Sequence, residues 1–344
     1  MSLFGKPKAF GLDLSDNALY LMEVKGESAS SVTSAAHFEL PKGLVEDGKV
    51  LDQEQLVDYL RNAVAESQPL APSSNNVVLG LPESQTYIGH FRISKEISKK
   101  ELLDEVYAEA GDNMPIDLEN AAWDYEILAT TEDAHEILFA AASAEVVEDY
   151  EHAMNLAGLD LKVLEPEALA LSRSLIKPSD LEADQGVAIL DIGARTSNLQ
   201  FLDKMGLQLS LSVRVAGNDF TAAIAKHLKI KVDQAEIAKR SKGFGDAKIA
   251  ATLNTIMLPL VNEFVEARNF YEAKVIRKVT DVILVGGSSA MPGIDQELQN
   301  LLRIPVSLGV PPFSFTDLQS HQIAAVSGLA MRGRILSSGI NFIA

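Results

Sequence analysis

One pattern occurs at two distant places in the chain: an apolar strand that ends in an aspartate, a short polar turn and a second strand. It is present in GLDLSDNALYLMEV, around Asp13, and in VAILDIGARTSNLQFL, around Asp191. A third stretch, DVILVGGSSAMPGIDQEL, places Gly286 and Gly287 between an apolar strand and a helix. Backbone N–H groups in such turns can hold phosphates, and glycine lets a ligand approach the backbone closely. The combination predicts two similar α/β halves that face each other across a nucleotide.

Each predicted hairpin has one carboxylate at its tip. Magnesium prefers carboxylate ligands and keeps several waters, so Asp13 and Asp191 are predicted to hold a hydrated Mg²⁺ between the halves. Taken alone, an aspartate before a turn is typical of an ordinary hairpin, and a Gly-Gly pair after a strand is typical of a strand-to-helix turn. The order and spacing of the three motifs together favour the nucleotide interpretation.

Composition restricts the environment and the class of partner. With 344 residues, 47% of them hydrophobic, the chain can form two domains or one large bilobed unit. It contains no cysteine, which excludes disulfides and thiolate metal sites and favours a reducing compartment. A net charge of −18 argues against binding to nucleic acid or anionic lipid. No stretch approaches the roughly 20 apolar residues of a membrane span, so we expect a cytoplasmic protein without direct membrane insertion.

Strands and helices alternate along the chain, and the pattern of predicted elements changes near residue 82. A helix is predicted over 52–67, with apolar positions at Leu56, Val57, Leu60 and Val64, and a buried strand over VVLGLP. The strands TYIGHFRIS, AAWDYEIL and HEILFAAAS then mix with the helices KKELLDEVYAEAG and EVVEDYEHAMNLAG. This indicates a compact α+β insert over 82–163.

The motifs resemble those of the actin-like ATPase superfamily. GLDLSDNALYLMEV is similar to its first phosphate hairpin, DIGARTSN to its second and VGGSSAMPG to its adenosine motif. Four further stretches resemble, within that superfamily, the PilM family of pilus assembly proteins: LEPEALALSRSL, VAGNDFTAAIAKHL, AEIAKR and PFSFTDLQSHQIAAVSGLAMRG. The insert lies where PilM and the division protein FtsA carry a small inserted subdomain, and the resemblance covers nearly the whole chain.

The resemblance implies an α/β, actin-like (ribonuclease-H-like) two-lobed ATPase fold with a small α+β inserted subdomain. Residues 1–81 would form the first lobe, 82–163 the insert, 164–185 a return to the first lobe, 186–325 the second lobe, and 326–344 a C-terminal helix and tail.

The resemblance also implies a site for ATP or ADP with Mg²⁺, in which Asp13 and Asp191 position the metal. Glu236 and Lys239 lie three residues apart on one predicted helix face, near the expected ribose and base. The other residues implied to bind nucleotide are Ser15, Asp16, Asn17, Gly193, Arg195, Thr196, Ser197, Gly217, Asn218, Gly286, Gly287, Ser288 and Met291.

The first hairpin departs from the PilM pattern. Ser15 stands where that family has Gly, Asp16 adds a carboxylate to the turn, and Tyr20 replaces a Lys. These changes weaken the attraction for phosphate, and Arg195 in the second turn compensates. We therefore expect nucleotide binding with slow or absent hydrolysis. Glu165 falls where actin-like enzymes can place a water-orienting catalytic group, but a solvated acid without that role is the favoured alternative.

The resemblance places the function in a partner. PilM proteins are implied to be cytoplasmic adaptors that bind the N-terminal peptide of the inner-membrane protein PilN, roughly Ile-Asn-Leu-Leu-Pro, in an extended or short-anchor mode with its apolar side chains in pockets. This implies recruitment to the inner face of the inner membrane. The groove is expected between the large lobe and the insert, with contributions from Leu79, Leu81, Tyr87, Leu102, Leu103 and Val106.

The end of the sequence resembles that partner peptide. It contains Ile340, Asn341, Phe342 and Ile343 in succession. One hypothesis is that this tail occupies the groove of a neighbouring copy and links protomers head to tail, with occupancy of its own groove as a variant. The alternative is a short apolar tail that packs on its own lobe.

Other classes of function fit less well. An FtsA-like protein would end in a basic amphipathic membrane-binding helix, and Arg332 and Arg334 are not part of an amphipathic repeat. A sugar or acetate kinase needs a substrate cleft with a catalytic acid, which the insert does not display. A chaperone ATPase would need a separate substrate-binding domain. An adaptor like that of type II secretion and a filament-forming actin-like ATPase remain alternatives.

Overall fold

The protein is described from a computed structural model, which describes residues 9–26, 31–314 and 318–344. The described residues form two compact units. The first unit comprises the described parts of Met1–Ile176, Pro311–Leu318 and Ile323–Ala344, and the second comprises Lys177–Val310 and Gln319–Gln322.

The first unit begins with strands and helices in mixed order. Its strands are β1 (Phe10–Leu14), β2 (Ala18–Val24), β3 (Val32–Glu39), β4 (Val45–Glu46), β5 (Lys49–Val50), β6 (Gln68–Pro69), β7 (Asn76–Leu81), β8 (Thr86–Ser94), β9 (Ala121–Thr130), β10 (Ala134–Ser143) and β11 (Asp160–Pro166). Its first helices are α1 (Gln53–Ala65), α2 (Lys99–Asn113), α3 (Ala144–Ala157) and α4 (Glu167–Leu175).

The second unit follows, and the chain then returns to the first. The strands of the second unit are β12 (Gln185–Ile192), β13 (Ser197–Asp203), β14 (Gly206–Val213), β15 (Lys278–Val285) and β16 (Val306–Leu308). Its helices are α5 (Gly217–Leu228), α6 (Val232–Ser241), α7 (Ala247–Val275) and α8 (Ile294–Leu302), and the returning helix in the first unit is α9 (Ala324–Arg332).

The main sheet of the first unit has the strand order β11-β7-β1-β2-β3-β6. The predicted first hairpin is β1 and β2, which pair antiparallel, while β7 and β11 run parallel to β1 and to each other. Helix α1 covers the sheet because Leu56, Leu60 and Ala63 recur at helical spacing and are buried. The side chain of Asp52 caps this helix by accepting a hydrogen bond from the backbone nitrogen of Gln55.

The insert forms its own antiparallel sheet, in the order β8-β10-β9. Helix α2 packs on this sheet, and Val106 and Phe139 lie at the centre of a small apolar cluster. Helix α3 behaves differently, because Tyr150 and Met154 are buried in the main core of the first unit. The independent part of the insert is therefore smaller than the predicted range of 82–163.

The second unit is built on a sheet with the order β14-β13-β12-β15-β16. Strands β12 and β13 form the predicted second hairpin, and β15 runs parallel to β12. A core that includes Phe201, Phe220 and Phe264 lies between this sheet and the helices.

The boundaries of the units differ from the predicted ones. Residues 177–185 belong to the second unit, whereas most of the region after Pro311 belongs to the first. The reason is the packing of α9, which lies against β1, β2, β7 and α4. A Cβ on Gly328 of α9 would lie 1.9 Å from the carbonyl oxygen of Ala170 in α4, so the two helices make backbone contact.

Candidate functional site

Four segments of the second unit meet at two glycines. The backbone nitrogen of Gly217, at the start of α5, donates to the carbonyl oxygen of Gly193 at 3.1 Å, and the hydroxyl of Ser288 donates to the same oxygen at 3.1 Å. From α6, Lys239 Nζ donates to the carbonyl oxygen of Gly217 at 3.0 Å. We call Gly193, Gly217, Ser288 and Lys239 the glycine cluster. Its bonds join the turn after β12, the turn after β15 and two helices.

At two positions in this region the surrounding atoms leave no room for a Cβ, so glycine is required. A Cβ on Gly217 would lie 2.3 Å from Ser288 Oγ, and a Cβ on Gly286 would lie 2.1 Å from a carboxylate oxygen of Asp191. Gly286 also has a φ of +88°, which L-residues rarely adopt. At Gly287, by contrast, no heavy atom of the described residues lies within 4 Å of the Cβ position. The backbone of this turn therefore borders open space that a ligand can enter.

Asp191 lies in β12, one residue before the strand ends, and is only 9% exposed. It lies opposite Asn198 in the hairpin, and the side chain of Asn198 hydrogen-bonds to its carboxyl group. Burial raises the pKa of Asp191 to about 6, against the smaller opposing effect of that hydrogen bond. A bound cation would stabilise the ionised form of such a buried carboxyl group.

Lys239 of the glycine cluster forms an ion pair with Glu236, whose side chain is 31% exposed. Lys239 is 5% exposed, and its ammonium nitrogen lies 2.7 Å from a carboxylate oxygen of Glu236. Thr221 donates from its hydroxyl to Glu236 at 2.5 Å, and Arg240 donates at 2.7 Å. Burial opposes ionisation of Glu236, but the hydrogen bonds from Lys239, Thr221 and Arg240 outweigh it and lower its pKa to about 2. Glu236 and Lys239 are therefore held in a fixed, charged arrangement.

Several other residues predicted to bind nucleotide have structural roles or lie at the surface. Ser197 is fully buried, and its hydroxyl donates to the carbonyl oxygen of Val215 at 2.6 Å, so it does not face a phosphate. Met291 is buried in the core of the second unit and does not present its side chain to a ligand. Arg195 and Asn218 are exposed, and Thr196 is partly exposed.

The residues of the predicted first turn differ in their exposure and in their contacts. Asp13 is buried near the end of β1, while Ser15 and Asn17 are exposed. The carboxylate of Asp16 accepts a hydrogen bond from the backbone nitrogen of Gly48 at 3.4 Å. The additional acid is thus directed towards the turn between β4 and β5, which explains how a carboxylate is accommodated in this hairpin.

Glu165 is neither a solvated acid nor an available catalytic group. Its side chain is 0% exposed, and Arg173 binds both of its oxygens, at 2.7 and 2.9 Å. Arg332 Nε lies 3.5 Å from the same carboxylate. Both expectations for Glu165 are therefore wrong in this structure. Its arginine partners come from α4 and α9, which the local sequence LEPEAL does not reveal.

The end of the chain occupies a slot within its own unit. We call Gly339–Ala344 the tail segment, and the tail slot is the position it fills beside Leu164, Lys162 and Asp124. Strand β11 is at one edge of the main sheet, and the tail segment lies along that edge. Phe342 donates from its backbone nitrogen to the carbonyl oxygen of Leu164 at 2.9 Å.

The side chain of Asn341 completes this attachment. Its Oδ1 accepts from the backbone nitrogen of Leu164 at 3.0 Å, and its Nδ2 donates to the carbonyl oxygen of Lys162 at 3.3 Å. The backbone nitrogen of Asn341 donates to the carboxylate of Asp124, on β9 of the insert, at 2.9 Å. Ile340 and Phe342 are 0% and 6% exposed, inside the main core. The tail therefore packs on its own lobe, as the alternative interpretation predicts, and the link to a neighbouring copy stays a prediction.

The sequence as a whole was compared with known proteins. A family model described as type IV pilus assembly protein PilM matches residues 11–333. The chain belongs to this PilM family. The curated cell division protein FtsA of Pseudomonas aeruginosa is 26% identical over 213 residues, which cover 54% of this chain and 51% of FtsA. The chain thus matches about half the length of that relative.

Solved structures identify the fold. A structure described as a PilM-PilN type IV pilus biogenesis complex is similar with a TM-score of 0.82 and 24% identity, covering 96% of this chain and 99% of that one. EutJ from Carboxydothermus hydrogenoformans has a TM-score of 0.60 and 16% identity, over 95% and 90% of the two chains. MreB5 of Spiroplasma citri bound to AMPPNP has a TM-score of 0.55 and 15% identity, over 94% and 95%. The predicted actin-like α/β fold is confirmed.

The side chains proposed for a partner groove are mostly inside the protein. Leu79, Leu81 and Val106 are fully buried, and Leu102 is nearly so, in the apolar clusters of the first unit and the insert. They cannot contact a peptide without opening those clusters, so their assignment to an open groove is wrong. Tyr87 and Leu103 are exposed and remain available.

The residues that form the tail slot were not found by sequence reasoning. Leu164 contributes backbone atoms, which carry no side-chain signal, and Asp124 is one acid among many in an acidic chain. The resemblance of the tail to a partner peptide was the only available indication. Among the described residues, no helix is both long and apolar enough to cross a membrane.

Proposed function

We propose that this PilM-family chain is a type IV pilus assembly adaptor that binds an extended N-terminal peptide of a PilN-like inner-membrane protein. The observation that carries the proposal is the tail slot. There an edge strand, a carboxylate and an apolar core hold a short segment by its backbone, one amide side chain and two apolar anchors. The solved PilM-PilN complex, whose fold this chain shares, also supports it.

The slot recognises a short peptide by anchors at the edge of a sheet. One main-chain hydrogen bond, from Phe342 to Leu164, joins the two backbones, and the pocket filled by Ile340 and Phe342 selects apolar side chains. Asn341 satisfies the backbone at Leu164 and Lys162 through one side chain. A peptide of the pattern Ile-Asn-Leu-Leu-Pro offers the same apolar–Asn–apolar order.

The test is a titration of fluorescent Ile-Asn-Leu-Leu-Pro peptide, monitored by anisotropy, against the protein ending after Ser338, so that the slot is open. We expect saturable binding, weakened at least about tenfold by Asp124→Ala, because the carboxylate that accepts a peptide N–H is lost. The matched control is Glu132→Ala, an exposed acid in the turn between β9 and β10, which should bind like the parent. If the truncated protein is folded but does not bind the peptide, the adaptor proposal is wrong.

We further infer that the second unit binds an adenine nucleotide. The residues fit that ligand: the backbone at Gly287 borders open space, Asp191 offers a buried carboxylate for a magnesium ion, and Lys239 is a buried cation. Among the described residues no three acidic or histidine side chains form a metal cluster. A magnesium ion at Asp191 would therefore take most of its ligands from phosphate and water, as Mg²⁺ usually does. Asp13 remains a prediction for the same ion.

Slow or absent hydrolysis belongs to this proposal. Glu165 is 0% exposed and is bound by Arg173 through both oxygens, so its carboxylate is not open to a water molecule that would attack a nucleotide. Binding is tested by melting curves of nucleotide-free protein with and without Mg-ATP or Mg-ADP. A ligand at about a hundred times its dissociation constant raises stability by about 2.7 kcal/mol. Unchanged melting with both nucleotides, at concentrations up to several millimolar, would exclude the site.

Location follows from the partner in this proposal. The chain would act in the cytoplasm and be recruited to the inner face of the inner membrane by the peptide it binds. Cell fractionation tests this: the protein should move from the membrane fraction to the soluble fraction when the PilN-like partner is deleted. Retention at the membrane in that strain would contradict recruitment by the partner.

A further inference from the structure

The tail segment is held in the manner of a bound peptide. Both backbone groups of Leu164 are used by the tail: the nitrogen donates to Asn341 Oδ1 and the carbonyl oxygen accepts from Phe342. Burial alternates along the segment, with Ile340 and Phe342 inside and Asn341 half-exposed between them. Residues 341–344 form a turn, in which the backbone nitrogen of Ala344 donates to the carbonyl oxygen of Asn341 at 3.3 Å. The segment is thus anchored to the edge of β11 through Asn341 and Phe342 and is not an added strand. No covalent constraint beyond the chain itself holds the tail there.

The connection to α9 allows the tail to leave and return. Helix α9 ends at Arg332, and residues 333–338 form turns rather than regular structure, with Ser337 and Ser338 exposed. Arg332 donates to the carbonyl oxygens of Ile335 and Gly339, so the end of α9 orients the segment just before the slot. Gly339 has a φ of +86°, which places a glycine at the point where the chain turns into the slot.

We propose that the tail segment is an intramolecular competitor that closes the partner slot of its own chain. The proposal rests on the peptide-binding function inferred above and gives that site a regulator. A partner segment with the order apolar–Asn–apolar would form the same bonds to Leu164 and Lys162, so it and the tail exclude each other. The partner enters only when the tail is out of the slot.

The short connection between α9 and the tail segment determines how strongly the tail reduces the affinity for a partner. A segment tethered by a few residues has an effective concentration in the millimolar range, far above that of a separate peptide. The apparent affinity for a partner is reduced by the fraction of molecules in which the slot is open. The intact chain should therefore bind a partner peptide much more weakly than a chain from which the tail has been removed.

The experiment compares four proteins: the intact chain, the chain ending after Ser338, Asn341→Asp, and the matched control Ser337→Ala. Asn341→Asp keeps both apolar anchors and so protects against loss of folding. It loses the donation to Lys162 and places a second carboxylate beside Asp124. Ser337 is exposed in the connection, so its replacement should leave docking unchanged.

Binding of two labelled test peptides and one labelled control peptide to each protein is measured by fluorescence anisotropy. One is the chain's own Ser-Gly-Ile-Asn-Phe-Ile-Ala, with Ser-Gly-Ile-Asp-Phe-Ile-Ala as its control, and the other is Ile-Asn-Leu-Leu-Pro. We expect both asparagine peptides to bind the truncated chain at least about tenfold more tightly than the intact chain. Asn341→Asp should fall between the two, and Ser337→Ala should match the intact chain.

Hydrogen exchange of the intact chain supplies an independent readout. At saturating Ile-Asn-Leu-Leu-Pro, the amide of Phe342 should lose protection because the tail has left, whereas the amide of Leu164 should stay protected by the asparagine of the peptide. If that peptide binds intact and truncated chains equally, the competitor proposal is wrong and the adaptor function stands. If Ile-Asn-Leu-Leu-Pro binds neither chain while the tail peptide binds the truncated one, the adaptor function is wrong and the tail has no partner to exclude.

Discussion

Lys239 donates a hydrogen bond from its ammonium group to the carbonyl oxygen of Gly217 at 3.0 Å, inside the second unit. The bond ties α6 to the first residue of α5, and Gly217 in turn is bonded to Gly193 in the second hairpin. A single backbone position therefore connects the hairpin turn, the helix start and a buried cation.

Gly217→Ala should disrupt the glycine cluster. Its Cβ would lie 2.3 Å from Ser288 Oγ and 3.0 Å from the carbonyl oxygen of Gly193, so the turn after β15 must shift. We expect a loss of about 1–3 kcal/mol in the free energy of unfolding, as for overpacking generally, together with a loss of nucleotide-dependent stabilisation. Denaturant unfolding and melting with Mg-ATP measure the two effects. Gly245→Ala is the matched control, because nothing lies within 4 Å of its Cβ position, and it should leave the nucleotide response intact.

Asp191→Asn should stabilise the ligand-free protein and abolish its response to Mg-ATP. The pKa of Asp191 rises from 3.8 in the unfolded chain to about 6 in the folded one. Between these values the folded carboxyl keeps a proton that the unfolded one has released, so the free energy of unfolding falls as pH rises through this window. Asparagine has no such dependence.

The stability difference between Asp191→Asn and the parent should therefore grow from pH 4 to pH 6 and then level off, at about 1–3 kcal/mol. Urea unfolding at a series of pH values without nucleotide or magnesium measures it. A difference that is flat across this range, or a variant that still responds to Mg-ATP, would be inconsistent with the role assigned to Asp191.

Glu165→Gln should destabilise the first unit without removing nucleotide binding. The substitution leaves the guanidinium groups of Arg173 and Arg332 without the carboxylate that they surround. Breaking a buried pair in this way costs about 3–5 kcal/mol. Glu148→Gln, on the exposed face of α3, is the control and should change stability by less than about 0.5 kcal/mol. If Glu165→Gln kept full stability but lost its response to nucleotide, Glu165 would belong to the nucleotide site and its structural role would be contradicted.

Gly328→Ala and Gly111→Ala should act in opposite directions. A Cβ on Gly328 would be 1.9 Å from the carbonyl oxygen of Ala170, which forces α9 away from α4. Gly111 lies on the exposed side of α2, and its Cβ would meet only Leu118 Cδ1 at 3.9 Å. We expect a loss of about 2 kcal/mol or more for the first and a gain of roughly 0.5–1 kcal/mol for the second, from higher helix propensity. Parallel thermal melts of the two variants decide whether α9 is packed as described.

Local sequence patterns predicted the strands and helices well where apolar residues repeat along one face of the element or where a turn has a typical composition. The alternation around Asp13 and Asp191 predicted both hairpins, and the spacing of Leu56 and Leu60 predicted α1. Gly217 and Gly286 lie where close backbone packing leaves no room for a Cβ, and their role in nucleotide binding stays a prediction. Met291, which follows the Gly286 turn, and Ser197, which begins β13, have side chains directed into the interior, and local composition alone does not distinguish an inward from an outward side chain.

The amino-acid sequence by itself determined the family, the actin-like fold and the two hairpins that each carry an aspartate, since these depend on residues close together in the chain. Tertiary structure alone decided the fate of Glu165 and of the tail. Glu165 meets Arg332, and Asn341 meets Leu164 and Asp124, across more than 150 residues of sequence. Apolar character says that Ile340 and Phe342 will be buried, but only the edge of β11 beside the insert determines where, because burial free energy is non-directional and hydrogen bonds to a particular backbone are not.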